Sequence, residues 1–235
     1  MTVSLAAKPR PRAPKGERTR ESILHVAVNL ASVEGLEGLT IGRLADELKM
    51  SKSGLFAHFG SKEELQLATV EAARQIFIEH VIRPAMAEPE GMPRLWALCD
   101  RWACHVERRV FTGGCFFTAA SFEFDSRPGP VRDRIVDAMK NWLHILSDAV
   151  RRAQQIKHLP AGINPEQLAF EMYSLAIGSY WGHELFGDRK AFSKGRSMIL
   201  GRLRALATPK CPPIAETAVA GRHVAIKTIP QLKKS

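Results

Sequence analysis

Apolar positions recur at three- and four-residue steps from about Glu17 to Leu206, and no run of alternating polar and apolar residues is long enough for a strand. The pattern predicts an all-α chain. Between Glu17 and Glu34, Ile23, Ala27, Leu30 and Ala31 form one stripe, and Gly35 stands where a helix stops. Thr40 is placed to cap a second helix with Ile41, Leu44, Ala45 and Leu48 inward. Ser51 caps a third, shorter one, with Leu55 and Phe59 on one face and Lys52, Ser53, Phe56 and His58 free to point elsewhere. So short a helix survives only by packing. The three segments are therefore expected to close a small core as a helix-turn-helix, a unit that reads DNA.

Ser61-Lys62-Glu63-Glu64 opens a fourth helix, acidic in its favourable first turn and continuing to Pro84. Further helices are expected from Pro93 to Val110 (broken by Gly113-Gly114), over Cys115 to Phe124, from Val131 to Lys157 (ended by Pro160-Ala161-Gly162), from Pro165 to Phe186 and from Phe192 to Leu206. The chain divides into a disordered basic arm (1–16), a helix-turn-helix domain (17–60), a larger bundle of about six helices (61–207) and a flexible basic tail (208–235). The helix from Pro165 is apolar on nearly every side and has to be covered on every side. Together with the stripe Met198, Ile199, Leu203 and Leu206 it suggests an isologous four-helix interface. A homodimer is expected to form through Leu168, Met172, Leu175, Phe192, Ile199 and Leu203.

From about Arg20 to Leu65 the chain resembles the TetR family of bacterial transcriptional regulators. Ile23-Leu24, Ala27, Gly35, Thr40-Ile41, Leu44-Ala45, Ser51 through Phe59 and Ser61-Lys62-Glu63-Glu64-Leu65 carry the resemblance in order. Two positions depart: Lys49 occupies a turn position where the family usually has Gly, and Phe56 stands where Tyr is usual. Lys49 costs conformational energy if the turn needs positive φ, and Phe56 lacks the hydroxyl that, by resemblance, would touch a phosphate. The resemblance implies a repressor that binds a palindromic operator as a dimer. Effector binding in the larger domain would move the helix that starts at Ser61, separate the recognition helices and release the DNA.

The net charge of +10 is concentrated at the ends. The first twenty residues hold Lys8, Arg10, Arg12, Lys15, Arg18 and Arg20 against Glu17 alone, and residues 207–235 hold five Lys and Arg against Glu216. A basic arm before a DNA-binding unit is suited to follow phosphates or enter a minor groove, whereas the C-terminal run reads as a solubilising tail. No apolar stretch approaches the ~18 residues of a membrane span, and the N-terminus lacks the apolar core of a secretory signal. Four cysteines in 235 residues do not form a disulfide framework. The expected setting is the cytoplasm.

Ser51, Lys52, Ser53 and Gly54 open the helix whose first residues meet base edges in this motif. Lys52 can read guanine or hold a phosphate, and Gly54 only permits close approach. Thr40, Phe56, His58 and Lys62 are assigned to backbone positioning, with Arg18 and Arg20 beside them; Thr40 as a plain cap, and Phe56 and His58 as plain packing, are the competing readings. In the larger domain Trp96, Trp102, Phe116, Phe117, Phe122, Trp142, Met172, Tyr180, Trp181 and His183 are candidates to line a cavity for an apolar or aromatic effector, against ordinary core roles. No cofactor, metal or catalytic site is expected. His183-Glu184 begins like a zinc-protease motif, but Gly187 stands where the second His is required, and Cys104-His105 point about 100° apart on a helix. Cys115 at a helix start supports an alternative: a helical small-molecule or redox sensor that binds DNA only weakly and without specificity.

Overall fold

The computed structural model describes residues 15–216, and every element among them is helical. The expectations for an arm up to residue 14 and for the tail beyond residue 216 lie outside the described residues. The N-terminal unit comprises α1 (Lys15–Glu34), α2 (Ile41–Leu48) and α3 (Lys52–Phe59). Ile23, Ala27 and Leu30 of α1, Leu44 and Ala45 of α2, and Leu55 and Phe59 of α3 are buried together with Leu36 and Leu39 from the α1–α2 loop. Each short helix is capped as its sequence requires. Thr40 Oγ1 accepts the Arg43 amide at 3.0 Å, and Ser51 Oγ accepts that of Gly54 at 3.1 Å.

Ser61 caps α4 (Lys62–Phe77) by accepting the Glu64 amide at 3.0 Å. The helix widens into a π-helical segment over Ile78–Ile82 before continuing as α5 (Arg83–Met86). The widening, absent from the sequence expectation, lies just ahead of Pro84, which has no N–H to give the ladder. The bundle is completed by α6 (Met92–Glu107), α7 (Phe116–Glu123), α8 (Pro130–Gln155), α9 (Pro165–Glu184) and α10 (Ala191–Leu206). Helix α6 stops short of the expected Val110. Arg109 turns at φ 52° and the Val110 amide reaches back to the His105 carbonyl at 3.2 Å, which swings Val110 and Phe111 into the core. At the other end, residues up to 216 stay on the bundle: Ile214 is buried and its carbonyl accepts Arg204 Nη2 at 3.0 Å.

A buried charge pair fixes α10 against α6. Arg196 Nε meets the buried Asp100 at 2.6 Å, and its Nη2 reaches Glu107 at 2.6 Å. Burial works against the guanidinium, but its bonds to Glu107 and Asp100 outweigh that and hold it charged. His105, on the same helix, has no partner for either ring nitrogen and packs edge-on to Phe111, with centroids 4.8 Å apart, and to Phe77. Burial first, then the neighbouring His80, push its pKa down to about 3. Below about pH 6.5 the unfolded chain takes up a proton that the folded chain refuses, so stability is fullest above that pH and falls as pH drops toward 3. Urea unfolding between pH 7 and 5 should show a loss approaching 1.4 kcal/mol per unit from this group, and His105→Phe should flatten the profile. An equally steep profile in the variant would assign the loss elsewhere.

Candidate nucleic-acid interface and interior cavity

The turn between α2 and α3 is built on Lys49, which adopts φ 53°, ψ 40° and lets its own amide and that of Met50 return to the carbonyls of Asp46 and Ala45. The left-handed turn expected from the family pattern is thus present, with lysine bearing the cost that glycine avoids. Leu55 and Phe59 bury one side of α3. The opposite side and the N-terminal end face outward: Ser51, Lys52 and Ser53 are exposed, Gly54 and His58 are half-buried, and Phe56 is 56% exposed. Lys52 leans along α2 at Gly42 and has no ion-pair partner among the described residues. Thr40 is exposed at the start of α2, Arg18 is exposed on α1, and the Arg20 guanidinium lies 5.0 Å from the Phe59 ring centroid. Lys52, Ser53 and Gly54 stand at the positive end of α3, where unpaired amides and the helix dipole favour a phosphate, while Arg20 and His58 lie at its other end.

Lys62 is placed differently from its sequence expectation. Its ammonium is bound to Glu37 Oε1 at 2.6 Å, and that bond is the first cause of the lowered pKa of Glu37. The lysine ties α4 to the α1–α2 loop, so its charge is committed within the chain.

Inside the bundle a narrow, partly open cavity of about 30 Å³ is lined by parts of five helices and the π segment. Phe77, Ile78 and Ile82 come from α4 and the π segment; Trp102 from α6; Cys115, Phe117 and Thr118 from the start of α7; and Met139, Trp142 and Tyr173 from α8 and α9. Met139 and Tyr173 also line an open groove of about 360 Å³ between α7 and α8, so these two side chains divide an inner from an outer space. Of the residues expected to line a cavity, Trp102, Phe117 and Trp142 do so. Met172 and Trp96 border smaller interior gaps, and Phe116 is core. Tyr180 packs at Gly114, and His183 sits 5.0 Å from the Phe192 ring. Phe122 and Trp181 are corrected outright, being 66% and 57% exposed. Sequence reasoning did not single out Phe77, Met139 and Tyr173, which look like ordinary stripe residues until five helices converge on one space.

Burial pushes the Cys115 thiol up, against hydrogen bonds at Thr118 that favour the thiolate. A thiol held protonated inside the core is the opposite of a reactive one. Among the described residues no group of three or more His, Cys, Asp or Glu side chains is arranged to hold a metal ion.

The residues expected at a dimer interface are also redistributed. Leu168, Met172, Phe192, Ile199 and Leu203 are buried in the chain's own core, and Leu175 is half-buried against it. An apolar stripe on each helix is consumed where α9 and α10 pack on the bundle. What remains outside is another face: Phe170, Trp181, Leu185 and Met198 are exposed, and Gly178 and Gly201 have open space around them.

A helix-turn-helix displayed on a larger helical bundle defines the class of two-domain helix-turn-helix proteins. Two family models match. Residues 23–69 match "Bacterial regulatory proteins, tetR family", and residues 91–199 match "Tetracyclin repressor-like, C-terminal domain". The chain belongs to the TetR family. It is 32% identical over 79 residues to the HTH-type transcriptional regulator TcmR of Streptomyces glaucescens, covering 33% of this chain and 35% of that one. It is 35% identical over 81 residues to the HTH-type transcriptional repressor NicS of Pseudomonas putida, covering 34% and 38%. These matches span little more than a third of the length of either curated relative. A TetR transcriptional regulator from Chloroflexus aurantiacus has the same fold, with a TM-score of 0.77 at 20% identity over 82% of this chain and 98% of that one.

The strained turn gives a direct check. Lys49→Gly should stabilise the protein by about 1 kcal/mol and raise its Tm by about 2–4 °C. A fall in Tm on thermal unfolding would mean that the lysine's contacts outweigh its backbone strain.

Proposed function

We propose that the protein is a dimeric transcriptional regulator that binds a palindromic operator through α3 and releases it when a small apolar or aromatic effector occupies the bundle cavity. The observation that carries this reading is the outward-facing, Ser51-capped start of α3, with Lys52, Ser53 and Gly54 at its tip. Thr40, Phe56, His58, Arg18 and Arg20 serve phosphate positioning around it. The phenyl ring of Phe56 offers apolar contact without a hydrogen bond. DNA as partner makes the cytoplasm the place of action, and no helix among the described residues is long and apolar enough to cross a membrane. That the regulator represses is an inference from the family alone.

The dimer is proposed to form through the exposed faces of α9 and α10, centred on Phe170, Trp181, Leu185 and Met198. Gly178 and Gly201 on that face allow close approach of two helices. The inner cavity is proposed to receive the effector, with Phe77, Phe117 and Trp142 against its body and the Tyr173 hydroxyl as a polar contact. The space is far below the ~300–1,000 Å³ of a usual ligand site, so an occupant has to part the walls, and parting them is what is proposed to drive the switch.

Selecting bound fragments from genomic DNA at ~0.15 M salt should yield one palindromic site, bound with a steep salt dependence. Trp181→Glu should give a monomer in light scattering and weaken binding to that site by about a hundredfold or more, because two linked half-site contacts become one. Recovery of only sequence-indifferent fragments whose binding vanishes as salt rises would contradict specific regulation.

A further inference from the structure

We propose that Glu123, at the far end of α7, is the positioning residue that couples the cavity to the helix-turn-helix. This rests on the cavity being the effector site. The two ends of α7 do different work. At its start Phe117 and Thr118 form a cavity wall. At its end, about 9 Å along the axis, both carboxylate oxygens of Glu123 are spent on the DNA-binding unit. Oε2 accepts the Leu36 amide at 2.8 Å and Oε1 accepts the Glu37 amide at 2.9 Å. These are paired, charge-assisted bonds to the backbone of the loop between α1 and α2, and they fix its orientation as well as its distance.

The loop is shaped for this carboxylate. Gly35 has φ +87°, and a Cβ there would lie 2.8 Å from Glu123 Oε1. Helix α4 grips the same two residues from the other side: Gln66 Nε2 donates to the Leu36 carbonyl at 2.8 Å, and Lys62 pairs with the Glu37 side chain. The segment leading into α7 is likewise held to α1. Asn29 Oδ1 accepts the Thr112 amide at 3.2 Å and hydroxyl at 3.0 Å, and Ser32 Oγ accepts the Gly113 amide at 3.0 Å. Residues 112–123 are therefore pinned to the DNA-binding unit at both ends and border the cavity between. A displaced α7 wall pulls directly on Leu36 and Glu37, and through Leu39 and Thr40 on the start of α2. Helix α4 is the other wall connected to the DNA-binding unit, so the proposal is that the Glu123 contact carries the larger part of the coupling.

A double-mutant cycle tests this without knowing the effector. Ala138 of α8, which also lines the cavity, is replaced by Phe as a permanent occupant, alone and together with Glu123→Gln, and affinity for the selected operator is measured in the full-length dimer. Ala138→Phe should weaken operator binding about tenfold or more in the parent and less than about threefold with Glu123→Gln, a coupling within the usual allosteric range. Glu123→Gln alone should leave affinity within about threefold and speed hydrogen exchange at the Leu36 and Glu37 amides. If Ala138→Phe does not fold, Ala138→Leu carries the same comparison. Equal loss in both backgrounds, or unchanged exchange at the two amides, overturns the role of Glu123 and leaves the effector cavity standing. No loss in either background overturns the cavity reading and this inference with it.

Discussion

An eight-residue helix has no stability of its own in water, and α3 exists because Leu55 and Phe59 are locked into the core of α1 and α2. That anchorage forces the remaining side chains outward and aims the capped start of the helix away from the protein. Everything else in the N-terminal unit serves it. Thr40 and Ser51 satisfy amides that have no helical partner, and Lys49 accepts a left-handed backbone so that α2 and α3 can turn tightly enough to share one core. Loss of the Leu55 or Phe59 contact would remove the recognition surface itself rather than weaken it.

The two domains meet along a polar seam. Asn29 with Thr112, Ser32 with Gly113, and Glu123 with Leu36 and Glu37 are hydrogen bonds whose geometry is specific, unlike apolar contacts, which tolerate sliding. Gly113 is required at this seam because a Cβ would run into the Ser32 carbonyl. Within the bundle, the Asp100–Arg196 pair secures α6 to α10. A less completely filled region lies where α4 widens into its π segment beside the cavity that α7 and α8 also line. Rigidity and space are thus distributed so that an occupant of the cavity meets the elements connected to the DNA-binding unit.

The sequence made the fold and the reading unit legible because both rest on local rules: cap residues at the right spacing, stripes of 3.6 periodicity, a glycine or its substitute at a turn. Helical ends set by tertiary contacts were less visible, as at Val110, where a positive-φ Arg109 turns two apolar residues inward. The residues expected at a dimer surface turned out to lie in or against the chain's own core for a physical reason. A helix apolar on all sides, such as α9, does not say which stripe its own bundle takes, and Leu168 and Met172 went to the core while Phe170 and Trp181 stayed outside. Aromatic content marked three of the cavity residues, but Phe122 shows that an aromatic side chain on a short helix can face solvent. Lys62 and Glu123 were illegible as a matter of principle, since a carboxylate and two backbone amides far away in sequence decide where they are spent.

The central claim is that α3 is presented outward twice in the dimer, one turn of B-form DNA apart. Dipolar distance measurement between spin labels at Ala57 of the two protomers, made on the operator-bound dimer, tests it most directly. A narrow distribution near the ~34–36 Å repeat of the major groove is expected. A separation well outside one helical turn, or labels immobilised inside the protein, would contradict the account.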